Sequence, residues 1–220
     1  AGGIFGGSLY FFTENTALGI TQASNVSFII CTAPLLTTIL SLLFYKSEKA
    51  SKGLIYGSLL ALMGVGLIVF NGSFVLKISP IGDLLTLLAA LSWAFYSLII
   101  KKMAGRYPTI FITRKIFFYG VLTILPAFLL HPLHPDTAVL LQPAVLFNLL
   151  FLAVLASLIC YVLWNVVLKQ LGTVRASNYI YLNPLVTMIA SFLILDEKIT
   201  LVALGGAACI VCGVYWAEKK

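Results

Sequence analysis

The octapeptide LGITQASN at Leu18–Asn25 returns as LGTVRASN at Leu171–Asn178, with five of eight letters identical in register. A second block follows each octapeptide in the same order. PLLTTILSLL at Pro34–Leu43 pairs with PLVTMIASFL at Pro184–Leu193, sharing Pro, Leu, Thr, Ile, Ser and Leu. The chain therefore contains two copies of one unit.

A third block supports the repeat. EKAS at Glu48–Ser51 pairs with EKIT at Glu197–Thr200, and each Glu is followed by a Gly at nine and at sixteen residues. The repeated glycines are Gly57 and Gly64 in the first copy, and Gly206 and Gly213 in the second. Chance could produce one such block, but hardly three in the same order.

The composition places these copies in a membrane. Hydrophobic residues make up 61% of the 220, charged residues only 10%, and the mean hydropathy is +1.07. A soluble domain carries roughly a quarter charged residues, and a membrane helix needs about 20 apolar ones. The apolar runs do not alternate as barrel strands would. We therefore predict an all-α polytopic membrane protein with eight transmembrane helices: 2–18, 23–45, 53–70, 81–102, 110–130, 144–168, 176–195 and 199–217.

The charges between these segments predict the topology. Alternating the sides places twelve of the 14 Lys and Arg residues on one side and only Lys77 and Lys198 on the other. The majority side holds Lys46, Lys49, Lys52, Lys101, Lys102, Arg106, Arg114, Lys115, Lys169, Arg175, Lys219 and Lys220. By the positive-inside rule this side and the C-terminus are cytoplasmic. Topology thus explains the net charge of +7, so we expect a lipid bilayer and no nucleic acid as partner.

The two copies are predicted to lie in opposite orientations. An odd number of predicted crossings separates them, which inverts the second copy relative to the first. Inverted repeats place a substrate site near the bilayer midplane, between halves that rock for alternating access. A small-molecule substrate is the expected ligand.

The repeated pattern, ALGIT-ASN…P…EKAS…G…G and LG-ASN…NP…DEKIT…GG…G, resembles the drug/metabolite transporter superfamily, EamA type. GDLLTLLAALSWAFYSLIIKK at Gly82–Lys102 and YVLWNVVLKQLG at Tyr161–Gly172 also resemble the second half of that family. The resemblance implies ten helices in two halves of five. Residues 1–75 would hold the last three helices of the first repeat and 78–220 the complete second repeat, with two helices expected ahead of Gly2.

The same resemblance implies secondary transport of a small metabolite in the export direction, across the inner or plasma membrane. No phosphate-binding GxxxxGK[ST] loop occurs in the sequence, so ATP-driven transport by the chain itself is not expected. We expect no cofactor, and a homodimer is left open. Because no Lys or Arg lies in mid-helix, we expect an amino-acid-like, neutral, cationic or hydrophobic substrate rather than a phosphorylated one.

Glu14 is the most informative single residue. A carboxylate inside a membrane helix costs a few kcal/mol on insertion scales, which implies an interior or water-lined position. At helical spacing it shares a small and polar stripe with four residues: Gly3, Gly7, Tyr10 and Ala17. Glu14 could couple protons or bind a substrate amine. Alternatively, it could be a structural hydrogen-bond partner of Asn15 or a near-interface residue that faces water.

Aromatic and amide residues in three later segments complete the candidate site. The predicted lining is Trp93 and Tyr96; Tyr161, Trp164 and Asn165; and Tyr179 and Asn183. Thr86, Ala89 and Thr187 share their faces, whereas Leu84, Leu88, Leu91 and Phe95 face elsewhere. Aromatic walls with a few polar groups suit a small-ligand pocket, although interface anchoring and bonds between helices are the ordinary roles of such residues.

The remaining features predict packing rather than chemistry. Pro34 and Pro184 remove backbone hydrogen bonds and can kink their helices. Small residues form packing seams: Gly57, Ala61 and Gly64, with Gly205, Cys209 and Gly213 as counterparts. Cys209 and Cys212 spell CxxC, so a membrane-embedded thiol-disulfide oxidoreductase is the alternative function. His131 and His134 lie in a loop with too few ligands for a metal site.

Overall fold

The computed structural model describes residues 1–45, 51–70, 79–130, 137–195 and 199–219, and these residues are almost entirely helical with no strand. The predicted all-α class is confirmed. Several residues used in the predictions lie outside the described part of the chain: Glu48 and Glu197 of the repeat, His131 and His134, and the basic residues Lys46, Lys49, Lys77, Lys198 and Lys220.

Twelve α-helices, α1 to α12, follow one another in the described residues. Their bounds are α1 Leu9–Ile20, α2 Ala23–Ile30, α3 Ala33–Phe44, α4 Lys52–Phe70, α5 Pro80–Ala104, α6 Thr109–Leu130, α7 Thr137–Leu140, α8 Pro143–Leu150, α9 Cys160–Leu171, α10 Thr173–Asn178, α11 Asn183–Leu195 and α12 Leu201–Glu218. A π-helical turn, Ile4–Ser8, precedes α1, another, Phe151–Ile159, joins α8 to α9, and a 3-10 turn, Tyr179–Leu182, joins α10 to α11.

Seven continuous helical stretches in the described residues are long and apolar enough to cross a membrane. They correspond to seven of the eight predicted segments. The predicted first segment is helical, but it is not among the seven, and its polar stretch Thr13–Thr16 lowers its hydropathy. The eight-helix count therefore stays a prediction. Pro143–Ile159 buries no side chain within the chain, as expected of a helix surrounded by lipid.

Both copies of the repeat contain a broken helix, and both breaks precede the repeated proline. α2 ends at Ile30 and α3 begins at Ala33, with Pro34 in its first turn. In the second copy the 3-10 turn Tyr179–Leu182 precedes α11, in which Pro184 is the second residue. Proline has no backbone N–H to donate, so it is tolerated where a helix begins. Both prolines thus lie where a regular α-helix begins again, and the predicted kinks stay a prediction.

The last residue of each EKxS/T block caps the helix that follows. The Ser51 hydroxyl accepts a hydrogen bond from the Leu54 backbone N–H at 3.1 Å at the start of α4. The Thr200 hydroxyl accepts one from the Ala203 N–H at 3.2 Å at the start of α12. Such caps satisfy a donor that the helix leaves free and stabilise it by about 1 kcal/mol. The repeated motif thus has one local function in both copies.

α4 and α12 pack antiparallel along the repeated glycines. A methyl group at Gly57 would lie 2.5 Å from the Gly213 carbonyl oxygen, and one at Gly64 would lie 2.5 Å from that of Gly206. Only glycine permits this backbone approach. The predicted seam is correct except at one position: the β position of Gly205 has no neighbour within 4 Å, and Gly206 takes its place because it faces α4.

The bundle has two distinct ends. At the Phe70 end, where α4 stops and α5 starts, Thr21 donates a hydrogen bond of 3.5 Å to Asp83, and Ser79 donates one of 3.3 Å to the Ile20 carbonyl. At the Tyr45 end, the Tyr45 hydroxyl donates to the Leu98 carbonyl at 3.2 Å. α5 therefore contacts the first copy of the repeat at both ends.

Candidate functional site

A cavity of about 410 Å³ opens toward the Phe70 end, between α1, α2, α4, α11 and α12. We call it the Glu14 cavity. Its lining residues are Glu14, Leu18, Ala23, Ser24, Val26, Ser27, Ile30, Cys31, Ile68, Val69, Asn183, Pro184, Thr187, Met188, Ile199 and Ala203. Both broken helices contribute to the wall, so the cavity lies where the two copies of the repeat meet.

Glu14 brings one carboxylate to this wall. Its Oε1 accepts a hydrogen bond of 3.0 Å from the Tyr10 hydroxyl, one turn earlier on α1. Asn15 points elsewhere: it is exposed, and its side-chain amide donates to the Phe11 carbonyl at 2.7 Å. Asn15, which we also predict as a substrate-binding or coupling residue, does not line this cavity and does not bond Glu14, because the side chains of successive helix residues do not face each other. Its role in binding stays a prediction.

The predicted stripe of residues on the first segment divides into two parts. Gly3 and Gly7 pack on α6, where a methyl group at Gly7 would lie 3.0 Å from the Gly120 Cα atom. Tyr10 and Glu14 instead face α5 and the cavity. The π-helical turn Ile4–Ser8 follows Gly3, contains Gly7 and ends two residues before Tyr10. A π-turn contains more residues than an α-turn, so a stripe counted at α-helical spacing shifts across it.

An aromatic cluster adjoins the cavity through Tyr10. Trp93 lies at its centre, with ring centroids 5.0 Å from Tyr10, 5.2 Å from Tyr96 and 5.7 Å from both Tyr161 and Trp164. Aromatic pairs at these separations attract one another beyond the burial of their surface. The cluster therefore unites α1, α5 and α9, and it contains five of the predicted site residues.

Asn165 connects this cluster to α6. Its Oδ1 accepts a hydrogen bond of 2.7 Å from the Tyr96 hydroxyl, and its Nδ2 donates one of 2.9 Å to Thr113. The side chains of Asn165 and Tyr96 are almost completely buried. The Tyr161 hydroxyl donates to the Gly6 carbonyl at 2.6 Å. These polar groups are satisfied within the protein, so their first role is to hold four helical segments together.

One aromatic residue of the cluster keeps an unused donor. The indole Nε1 of Trp164 is buried and has no hydrogen-bond acceptor in the part of the chain that the structure describes. Buried indole N–H groups usually have a partner. Trp164 therefore keeps a donor that can bind an acceptor from outside the chain.

The predicted faces of α5 agree with the structure. Thr86, Ala89 and Tyr96 are fully buried on the face of α5 that carries Trp93, whereas Phe95 contacts Phe5 and Phe44 at centroid distances of 5.3 and 6.3 Å. Trp93 and Phe95 thus belong to different aromatic groups although they are two residues apart.

The predicted residues of the seventh segment do not all line the same cavity. Asn183 and Thr187 line the Glu14 cavity, as expected. Tyr179 lies in the 3-10 turn, is 40% exposed, and does not line the cavity. The 3-10 turn has three residues per turn instead of 3.6, so Tyr179 and Asn183 do not stay on one face.

Several functional neighbours were missed by the sequence analysis. The Thr113 hydroxyl accepts a hydrogen bond from Asn165, and the Gly6 carbonyl accepts one from Tyr161. Ser24 and Ser27 line the cavity. Ser24 belongs to the repeated ASN block, and this repetition is a signal that could have identified it. Thr113 and Gly6 are single residues in apolar segments, and only the packing of their helices reveals their partners.

The four cysteines are free thiols. Cys209 is half-buried in the α4–α12 seam, where a methyl group at Gly64 would lie 2.9 Å from its Cβ, and Cys212 is exposed on the same helix. In the described residues, no group of three or more His, Cys, Asp or Glu side chains is placed to hold a metal ion.

Comparison with known proteins identifies the family. Residues 1–70 and 80–217 match the sequence profile of the EamA-like transporter family. The chain belongs to this family. As an EamA-like protein it is a membrane transporter and not an enzyme, in agreement with the resemblance found in the repeat.

Individual relatives of this EamA-like chain carry transporter names. An uncharacterized transporter of Archaeoglobus fulgidus is 30% identical over 217 residues, covering 98% of this chain and 73% of the relative. A probable amino-acid metabolite efflux pump of Salmonella typhimurium is 29% identical over 78% of this chain and 60% of its own length. A protein of the same description from Escherichia coli is 24% identical over 90% of this chain and 69% of its own length.

A crystal structure of a protein with 20% sequence identity shares the fold. It superposes with a TM-score of 0.80 and covers 99% of this chain and 73% of that one. At this identity the similarity concerns the architecture alone.

Proposed function

We propose that this transporter moves a small, amino-acid-like molecule with an amino group through the cell membrane by alternating access, with the Glu14 cavity as its substrate site. The observation that carries the proposal is the lining of the cavity. It combines one carboxylate with the Asn183 amide and the hydroxyls of Ser24, Ser27 and Thr187, and none of its described lining residues is Lys, Arg or His.

The charge of the lining selects the substrate class. An ammonium group can pair with the Glu14 carboxylate, and the Asn183 amide and the hydroxyls can bind a polar group at its other end. A phosphate ester would require a cation, which the lining lacks. The volume of about 410 Å³ suits a molecule of amino-acid size.

The aromatic cluster supports the same class. Tyr10 belongs both to the cluster and to the hydrogen bond with Glu14, so a cation at the carboxylate lies near aromatic faces. Ring faces attract organic cations by about 0.5–2 kcal/mol. The unused indole N–H of Trp164 offers a donor for an acceptor group of the substrate.

The contacts between α4 and α12 support the inverted repeat on which alternating access depends. Gly57 and Gly206 are equivalent in the repeat, as are Gly64 and Gly213. The observed contacts join Gly57 to Gly213 and Gly64 to Gly206, so exchanging the two copies reproduces the same pair of contacts. Two copies related by a two-fold axis in the membrane plane would have this pattern. We place the copies in residues 1–75 and 78–220.

Export is the proposed direction, and the C-terminus is proposed to be cytoplasmic. The first rests on the efflux pumps among the relatives and the second on the distribution of basic residues. No observation favours the thiol oxidoreductase alternative, because Cys209 serves the packing of α4 against α12.

A transport assay in proteoliposomes tests the proposal. The chain should accumulate members of a panel of amino acids and small amines, and N-acetylated analogues of the same compounds should not be moved, because they lack the ammonium group. Protein-free liposomes give the background. Equal movement of the acetylated analogues, or preferential movement of phosphate esters, would contradict the proposed substrate class.

A further inference from the structure

Arg114 and Lys115 bring two positive charges into an apolar helix. They are the sixth and seventh residues of α6, and both belong to its membrane-crossing stretch Thr109–Ala127. At a rise of 1.5 Å per residue, they lie about 8 to 9 Å along the helix from its first residue. Every other described Lys or Arg residue lies within three residues of a helix end or outside the helices. This pair therefore enters the membrane further than a loop charge does.

The surface of α6 on both sides of the pair is apolar and exposed. Ile110, one turn before Arg114, is 73% exposed, and Phe118, one turn after it, is 59% exposed. Arg114 is exposed as well, and Lys115 is half-buried. Exposed apolar side chains of a membrane helix meet lipid, and long basic side chains among them extend toward the headgroups. The pair is thus placed to reach lipid phosphates.

Aromatic rings hold the two charged groups on one part of the helix surface. The Arg114 guanidinium carbon lies 5.5 Å from the centroid of the Phe111 ring, and the Lys115 ammonium nitrogen lies 5.8 Å from the same centroid. Lys115 is also 6.0 Å from the Phe118 centroid and 5.9 Å from that of Tyr119. Ring faces attract cations but leave their net charge in place. An anion can therefore still bind both groups.

Neither basic residue forms an ion pair within the part of the chain that the structure describes. Among the described carboxylates, Glu14 and Asp83 lie toward the Phe70 end. Glu218 belongs to the last turn of α12, which packs at Gly53 at the start of α4. Charged residues in membrane segments are usually paired with an opposite charge. The anion that complements this pair therefore comes from outside the described chain.

We propose that Arg114 and Lys115 bind the phosphate of an anionic phospholipid in the leaflet at the Tyr45 end. A guanidinium donates two parallel hydrogen bonds to a phosphate, and the neighbouring ammonium adds a second positive charge. A zwitterionic phospholipid fits less well, because its own ammonium group is repelled by the pair. The site lies on the outer face of α6, apart from the Glu14 cavity, so the inference does not rest on the proposed substrate.

The apolar face beyond the pair accommodates an acyl chain of the same lipid. Val121, Leu122 and Leu125 are 60%, 52% and 50% exposed, and they follow Phe118 at three, four and seven residues. These spacings place them on one stripe of the helix. The stripe starts beside the basic pair and continues away from the Tyr45 end. A phospholipid can use both parts of this surface, whereas a free phosphate ion can use only the charged part.

The inner face of the same helix holds the bundle together. Thr113 accepts a hydrogen bond from Asn165 on α9, and Gly120 packs closely against Gly7 of the first segment. A ligand that binds the folded protein and not the unfolded chain raises stability. Addition of the lipid should therefore raise the thermal unfolding midpoint of the detergent-solubilised protein.

Lipid binding to the purified protein tests the inference. Native mass spectrometry in neutral detergent measures the binding of dioleoyl phosphatidylglycerol and of dioleoyl phosphatidylcholine, which have the same acyl chains. We expect the wild-type chain to bind the anionic lipid about tenfold more tightly, and the double variant Arg114→Gln/Lys115→Gln to lose this preference. Arg114→Lys/Lys115→Arg should retain it, because both charges remain. Equal affinity of the wild-type chain for the two lipids would overturn the proposal.

A matched variant separates this site from the general effect of positive charge. Lys52→Gln/Lys219→Gln removes two exposed charges at the same end of the bundle, on α4 and after α12, and should keep the preference for the anionic lipid. Equal loss in the two glutamine variants would show diffuse attraction and would contradict a site on α6. Inorganic phosphate at the same concentration should neither displace the lipid nor raise the unfolding midpoint. Stabilisation by phosphate equal to that by the lipid would also contradict the proposal.

A photoreactive lipid locates the site in the unaltered protein. Phosphatidylglycerol that carries a diazirine in one acyl chain should crosslink to α6 between Phe118 and Leu125. Excess unlabelled phosphatidylglycerol should suppress the crosslink, and phosphatidylcholine should not. Crosslinks confined to other helices, or a dimer in which this face of α6 is protected from the probe, would overturn the assignment.

Discussion

The Tyr10 hydroxyl donates a hydrogen bond of 3.0 Å to Oε1 of Glu14, from one turn earlier on the same helix. The bond links the only described carboxylate in the cavity wall to the aromatic cluster, because the Tyr10 ring also contacts Trp93. Any group that binds Glu14 therefore also meets the donor on Tyr10.

Glu14→Gln should abolish proton-coupled transport and leave folded protein in the membrane. The substitution keeps the shape of the side chain and removes the group that can carry a proton or pair with an ammonium. Substrate accumulation driven by a pH gradient measures the effect, and its dependence on pH should become flat. Asn15→Ala, at the neighbouring exposed position, should transport normally. Wild-type rate and pH profile in Glu14→Gln would make Glu14 structural or the protein a uniporter.

Tyr10→Phe should raise the KM for an amine substrate by about tenfold or more. It keeps the ring and removes the hydrogen bond that orients the Glu14 carboxylate, and a hydrogen bond to a charged group is worth about 1.5–3 kcal/mol. The thermal unfolding midpoint should change little, since the contact with Trp93 remains. Tyr10→Ala, which also removes the ring, should lower both affinity and stability. An unchanged KM in Tyr10→Phe would show that the hydroxyl does not act on the substrate.

Trp93→Ala should weaken substrate binding far more than Phe95→Ala. Trp93 lies at the centre of the aromatic cluster, whereas Phe95 contacts Phe5 and Phe44. Loss of a buried aromatic residue at a binding hot spot costs about 2 kcal/mol or more. Direct binding measurements on both purified variants compare the two faces of α5, and equal losses would contradict the assignment of the cluster to the substrate site.

Asn165→Ala should destabilise the fold by about 2 kcal/mol, because it leaves the buried Tyr96 hydroxyl without an acceptor and removes the donor to the Thr113 hydroxyl. The free energy of unfolding in a denaturing detergent titration gives the value. Thr113→Val and the double variant complete a cycle that measures the coupling between Asn165 and Thr113. Additive losses would mean that the two side chains do not interact.

Gly206→Ala should destabilise the protein by about 1–3 kcal/mol, since its methyl group would lie 2.7 Å from the Gly64 carbonyl oxygen and force α12 away from α4. Its neighbour Gly205 has open space at the β position, so Gly205→Ala should be neutral or stabilising by up to about 1 kcal/mol through helix propensity. The same detergent titration applies. Equal effects of the two substitutions would exclude the close packing of α4 on α12.

A last prediction concerns topology. Gly105→Cys and Ile81→Cys, at exposed positions near the two ends of α5, should be labelled from opposite sides of the membrane: Gly105→Cys from the cytoplasm and Ile81→Cys from outside. The motivation is that twelve of the 14 basic residues fall on one predicted side. The reverse pattern of labelling would invert the proposed orientation.

The sequence alone predicted the elements whose cause is local. Apolar runs of membrane length predicted helices, repeated prolines predicted interruptions, and repeated glycines predicted a packing seam. These features depend on the hydropathy and backbone chemistry of neighbouring residues, so they can be recognised before any tertiary contact is known. Trp93 and Tyr96 on one face of α5 were also predictable, because that helix keeps its period of 3.6 residues throughout.

The sequence placed residues on a different helix face from the structure in two situations. In one the helical period changes, and in the other either of two adjacent residues could make the same contact. The π-turn Ile4–Ser8, which contains Gly7, rotated Gly3 and Gly7 away from the face of Glu14, and the 3-10 turn Tyr179–Leu182 rotated Tyr179 away from the face of Asn183. Asn15 lies beside Glu14, which lines the cavity, and Gly205 lies beside Gly206, which packs against α4. The rotation of a helix about its axis decides such pairs, and long-range packing sets that rotation.

The sequence by itself determined that this chain is a helical membrane protein built from two copies of one unit, because hydropathy and repetition are properties of the letters. Only the tertiary structure decided that Tyr10 is the donor to Glu14, that Thr113 accepts a hydrogen bond from Asn165, and that Gly206 rather than Gly205 packs against α4. Residues that are identical in the two copies, such as Pro34 and Pro184, have the same local chemistry. What distinguishes them is which helices approach each other at each end of the bundle, and that depends on contacts between segments far apart in the chain.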